Sequence, residues 1–250
     1  MTMTLAERQR CEIHYWKHAV HERPEVESVE AIIAKCCEAQ VFLLALARFA
    51  DDFQAANNIL EIGGGQGWAA ALVKRRFPAA TVLTSDLSPY AVASVRKWHR
   101  VFDIQVDGSI ACRSYEIPLA DRSQDLIFAY AAAHHFGAQR RTLAELQRLL
   151  RPGGVALYLH EPSCPPWIYK RAFRRVNRHR PDVPEDVLIY PKILQLAREQ
   201  GLRAEVIFAP ETVNRRPGPF VYYSVLKRLP WLQRWLPCTA HFRFVKPRGV

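Results

Sequence analysis

With 250 residues, 49% of them apolar, the chain can bury one sizeable core, and an α/β fold of this length forms a single domain. The net charge of +11 is uneven: residues 1–150 hold 17 Lys/Arg and 17 Asp/Glu, residues 151–250 hold 18 and 7, so the basic half is the one expected to meet anionic partners. No apolar run nears the ~20 residues that span a bilayer, no signal peptide is visible, and six scattered cysteines lack metal-ligand spacing, so a soluble, cytoplasmic protein with reduced thiols and no metal is expected.

Residues 5–22 read as a helix, broken by Arg23-Pro24 before a second helix over about 25–49 that becomes apolar towards its end. His14, Tyr15, Trp16 and His18 on the first helix either pack against the domain or line a pocket. Residues 58–67, NILEIGGGQG, then run a short buried strand into a glycine-rich loop, with a helix starting at Trp68. Glycine suits a backbone that turns sharply and lets a ligand reach main-chain N–H groups beside a helix N-terminus. Pro78 stops that helix, and a second strand over 80–85 ends on Asp86, 19 residues beyond Gly67. A carboxylate at such a strand tip can accept both ribose hydroxyls of an adenosine. Ser88-Pro89 caps the next helix after Leu87, an apolar neighbour for adenine. Read from Gly65, the loop also satisfies the dinucleotide fingerprint, so these features alone leave the nucleotide open.

Downstream residues narrow the choice. Glu116-Ile117-Pro118-Leu119 with Asp121, Ser123 and Asp125-Leu126-Ile127, then Ala131 to Phe136 with its His134-His135 pair, then Leu149-Leu150-Arg151-Pro152-Gly153-Gly154, follow one another in order. Together with Gly63-x-Gly65-x-Gly67, this succession resembles the class I S-adenosylmethionine (SAM) methyltransferases over about residues 55–210. The resemblance implies a Rossmann-like α/β fold: a seven-stranded, mostly parallel sheet, helices on both faces and a reversed last strand. It also implies an N-terminal helical cap over residues 1–54 and a SAM-binding core over 55–250, with insertions at about 162–187 and 211–239. The implied cofactor is SAM, held by Glu61, Gly63, Gly65, Gly67, Asp86, Leu87, Ser114, Tyr115 and Tyr130. One position departs from the pattern: Arg113 stands where the family usually has an acidic residue for the adenine amine, and an arginine accepts no hydrogen bond. The backbone of Ser114 and Tyr115, stacking on Tyr115, or Asp107 would then recognise adenine.

The expected chemistry is modest. SAM carries an activated methyl group, so the protein aligns a nucleophile and excludes water, helped by a positioned base where the acceptor is a hydroxyl or acidic carbon. His135 is the first candidate base and Glu161 the second, with His134, Tyr130 and His160 nearby in sequence. The expected reaction is O-methylation of a small hydrophobic or anionic metabolite. The alternatives are an RNA or protein N-methyltransferase, a SAM-binding subunit without catalysis, and, third, a dehydrogenase. No nucleic-acid module is visible. Residues 165–185 carry a cationic stripe from Lys170 to Arg180, and residues 219–237 set Tyr222, Tyr223, Trp231 and Trp235 beside Lys227, Arg228 and Arg234. Such segments either roof an apolar pocket or lie in a membrane interface, so a peripheral membrane contact through the basic part is a second expected partner.

Overall fold

The computed structural model describes residues 3–19, 28–178 and 185–248. Helix α1 (Leu5–His18) starts at a capping box in which Thr4 and Glu7 exchange hydrogen bonds. Helix α2 (Val29–Arg48) is capped by Ser28 and leads through α3 (Ala50–Gln54) into strand β1 (Asn58–Ile62). The expected extensions of the first helix to residue 22, and of the second back to residue 25, fall outside the described residues.

After β1 the elements alternate as the sequence predicts: α4 (Trp68–Arg76), β2 (Thr81–Asp86), α5 (Pro89–Ala93), α6 (Val95–Phe102), β3 (Gly108–Ala111), β4 (Gln124–Tyr130) and α7 (Gln139–Leu149). Then follow β5 (Leu150–Cys164), α8 (Tyr169–Val176), β6 (Leu188–Ile189), α9 (Tyr190–Glu199), β7 (Arg203–Phe208), α10 (Pro217–Arg228) and β8 (Cys238–Val245). The sheet runs β3-β2-β1-β4-β5-β8-β7, with β8 antiparallel to both neighbours.

Because successive side chains leave a strand on opposite faces, the mostly apolar central strands feed two cores. Ile59, Leu126, Phe128, Leu157 and Leu159 pack on one face with Phe42 of α2, Trp68 of α4 and Trp98 of α6. Leu60, Ile62, Ile127, Ala156 and Tyr158 pack on the other with the leucines of α7 and with Ile193 of α9. Asp125 ties the base of the sheet, its Oδ2 accepting from the backbone N–H groups of Asn57 and Asn58 and its Oδ1 from Arg151.

Beyond the seven strands that the resemblance implies, a short eighth strand, β6, pairs with the end of β5. Strand β5 runs on to Cys164, because Glu161, Pro162 and Ser163 find antiparallel partners in Ala240, Thr239 and Cys238. The register slips between Tyr158 and Glu161, and His160 there has φ +58°, so a bulge re-aims the chain at the carboxyl edge of the sheet.

Candidate active site

The carboxyl ends of β1, β2, β4 and β5 form the floor of a cavity of about 920 Å³, roofed by α1. Its size lies towards the top of the ~300–1,000 Å³ usual for small-molecule sites. At one end the glycine loop meets the tip of β2. Gly63, Gly65 and Gly67 all have positive φ (65°, 54° and 73°), which a side chain would strain. A Cβ on Gly65 would lie 3.0 Å from Trp16, so the loop is a cradle pressed under an aromatic roof. Asp86 accepts from Gly65 N–H with Oδ2 and from Ser88 N–H with Oδ1, both at 2.8 Å. Burial pushes its carboxyl up to about 6, against the pull of those two bonds. Gly63, Gly65, Asp86, Leu87, Ser114 and Tyr115 all line the cavity.

Three of the sequence-selected residues lie behind this surface. Glu61 is buried beneath the loop, accepting from Thr84 Oγ1 at 2.6 Å, and burial raises it to about 8. Gly67 packs its backbone against Val95 and Thr84 as it opens α4. Tyr130 is turned away: its ring sits among Phe42, Trp68 and His160, and its hydroxyl donates to Glu38 O at 3.2 Å. These three support the site from beneath. At the adenine position, Arg113 turns to Glu116 at 2.9 Å, and Asp107 pairs with Lys74 and Val82 N–H away from this cavity. Tyr115 carries the Arg141 guanidinium 3.9 Å over its ring and accepts from Gln9, so one face of the ring is already occupied.

The histidine pair stands on a single 3₁₀ turn, Ala133–His135, between β4 and α7. Glu161 holds that turn. Its Oε1 accepts from Ala132 and Ala133 N–H, and its Oε2 meets His134 N–H at 3.1 Å and His134 Nδ1 at 2.8 Å. A fully buried carboxylate engaged four times has no lone pair left for an acceptor proton, so Glu161 is a positioning residue and not the second base. With Nδ1 of His134 held this way, Nε2 is its remaining nitrogen.

His135 Nδ1 lies 2.7 Å from Glu12 Oε1 of α1. Burial opposes charge on this imidazole, but the Glu12 carboxylate outweighs it and the pKa rises above its ordinary value. Glu12, which α1 contributes, was not distinguishable in the sequence from the other charges of that helix. Glu185 was missed likewise: one atom each from His134, His135 and Glu185 lie within 4.8 Å of one another, a group able to hold a divalent cation, although the sequence suggests no metal. On α1, Tyr15 and Trp16 line the cavity, whereas His14 and His18 lie against each other with centroids 4.4 Å apart and rings tilted by 42°.

The opposite wall is built by β5, β8 and the segment leading into α10. His160 is driven down to about 4 chiefly by burial, so it is neutral at physiological pH, and its buried Nδ1 has no hydrogen-bond partner. His160 thus brings both a strained backbone and an orphaned polar atom to the cavity wall. Beside it, Arg215 donates to Thr239 Oγ1 and lies 3.5 Å over the Tyr223 ring, a second cationic contact that motif reading did not single out.

A parallel β3-β2-β1-β4-β5 order continued by an antiparallel pair, with a glycine cradle after β1 and an acid at the tip of β2, defines the class I SAM-dependent methyltransferase fold. Residues 60–158 of the chain match the family model described as a methyltransferase domain. The chain is 35% identical over 104 residues to malonyl-[acyl-carrier protein] O-methyltransferase of Hahella chejuensis, covering 39% of this chain and 34% of that one. It is 26% identical over 211 residues to fatty-acid O-methyltransferase of Mycolicibacterium smegmatis, covering 76% and 68%. The chain thus spans about a third of the first of these relatives. Geranyl diphosphate C-methyltransferase of Streptomyces coelicolor, solved with Mg2+, geranyl diphosphate and S-adenosyl-L-homocysteine, superposes over both whole chains with TM-score 0.69 at 15% identity.

Proposed function

We propose that the protein transfers a methyl group from SAM to an oxygen of a small hydrophobic or anionic acceptor. The observation that carries this reading is the continuity of one cavity from the glycine cradle and Asp86 to the His135, His160 and Arg215 wall. SAM is assigned to the first end, where three glycines of positive φ turn the loop backbone and where Asp86 keeps further lone pairs for ribose hydroxyls. Bound there, it supplies an electrophilic methyl that needs no further activation.

The protein's own residues then have distinct tasks. Arg215 offers a fixed positive charge for a carboxylate or phosphate acceptor, and the neutral His160 offers a hydrogen-bonding nitrogen beside it. His135 takes a proton where the acceptor is a hydroxyl, with Glu12 stabilising the imidazolium that results. Trp16 and Tyr15 close the cradle from above and exclude water. The relatives named for malonyl-[acyl-carrier protein] and for fatty acids support an acidic acceptor with an apolar tail. An open acceptor wall also favours catalysis over a SAM-binding subunit without activity.

The test is calorimetric titration with SAM, S-adenosylhomocysteine and NAD, followed by a screen of carboxylic and hydroxylated acceptors with labelled SAM. SAM binding that Asp86→Ala abolishes, with label transferred to an oxygen, is the expected result. NAD binding without SAM binding would overturn the reading.

A further inference from the structure

Among the described residues, every large apolar side chain left exposed beyond residue 101 lies within two segments, 165–178 and 212–236. Those segments together carry ten Lys/Arg and no Asp/Glu. They meet in space. Pro165, Pro166 and Trp167 form an open groove with Trp231, Arg234 and Trp235, floored by Tyr190, whose hydroxyl donates to Arg234 O at 3.1 Å. The three tryptophans are 63%, 63% and 60% exposed, and Pro166 and Pro230 stiffen the turns that hold them out. Phe220, Val221, Val225 and Leu229 extend the exposed apolar surface along α10, and Arg171, Arg174 and Arg175 of α8 and Lys227 and Arg228 of α10 are exposed on the same two segments. Arg180 of the cationic stripe lies outside the described residues.

We propose that this face docks the protein on an anionic membrane surface. Indole rings prefer the headgroup level of a bilayer, and each lysine or arginine near an acidic leaflet adds attraction. A second copy of the chain would bring cations against cations without an acid to relieve them. The same helix also faces the cavity. Tyr223 shares a hydrogen bond with Thr239 at 3.0 Å and Leu226 is buried, whereas Val221 and Val225 face out. An acceptor dissolved in the bilayer would therefore have one helix between itself and the cavity wall. The docking surface stands on its own residues and does not depend on the methyl-transfer reading.

The test uses the whole protein and vesicles of phosphatidylcholine with or without phosphatidylglycerol, at about 50 and about 500 mM salt. The protein is expected to pellet with anionic vesicles at low salt and to release as salt rises, with tryptophan fluorescence quenched by lipids brominated near the headgroup. The W167S/W231S/W235S variant, altered only at exposed positions, is expected to bind at least about tenfold more weakly with unchanged near-ultraviolet circular dichroism outside the lost indoles. Failure of the wild type to pellet at low salt, or equal binding by the variant, would overturn the proposal. So would a lipid-free dimer that the same variant abolishes in sedimentation velocity, because a second copy would then cover this face.

Discussion

At the scale of single residues, the site is a set of carboxylates with different tasks. Asp86, raised to about 6 by burial, is the one that should report on cofactor binding. Protonation removes acceptor lone pairs, so SAM affinity is expected to weaken as pH falls below about 6, and Asp86→Asn should bind at least about tenfold more weakly with a flat profile; titration across pH checks both. Glu12 acts on His135. The base form of His135 appears only above its raised pKa, so kcat/KM for a hydroxyl acceptor should climb with pH through a limb above 6.5. Glu12→Gln removes the attraction and leaves burial, so the limb should move to lower pH; a limb that stays in place would free His135 from Glu12. Glu161→Gln presents an amide N–H to the His134 N–H. That change is expected to destabilise the fold by about 1–3 kcal/mol and to lower turnover at unchanged SAM affinity, measured by denaturant titration and by comparing kcat with Kd.

At the scale of elements, Glu61 links the glycine loop to overall stability. Its folded pKa of about 8 lies above the unfolded value, so the native state holds a proton that the unfolded chain gives up. Stability from this group is therefore complete below about 4.5 and drains away as pH rises towards 8, at up to about 1.4 kcal/mol per pH unit. Glu61→Gln keeps an acceptor for Thr84 and should flatten that decline in denaturant titrations. Much of this layer was legible in advance. Gly65 and Asp86 were marked by spacing and Gly63 by the family resemblance, and all three line the cavity. The extension of β5 through Pro162 was not legible, since Pro162 reads as a strand breaker until Thr239 is seen beside it. Nor was the fourfold engagement of Glu161, which depends on the bulge at His160. An acid one residue past an apolar run looks solvent-facing in sequence, and only the fold turns it inward.

At the scale of the whole molecule, the sheet supplies the floor and distant segments supply the walls, so Glu12, Glu185 and Arg215 meet only after folding. That is why their roles escape any local pattern. The basic half of the chain was visible as composition, and the structure concentrates its exposed apolar residues on the same surface.

The roof has a temporal consequence. α1 touches the site through Gln9, Glu12 and Trp16, yet it buries no residue of its own completely. A segment with so little buried apolar surface opens at low free energy, on the microsecond-to-millisecond scale of lids. For a cofactor held beneath Trp16, the expected slow step is that helix lifting rather than bond making. kcat should then fall as solvent viscosity is raised, and Trp16→Ala should loosen that dependence while weakening cofactor retention.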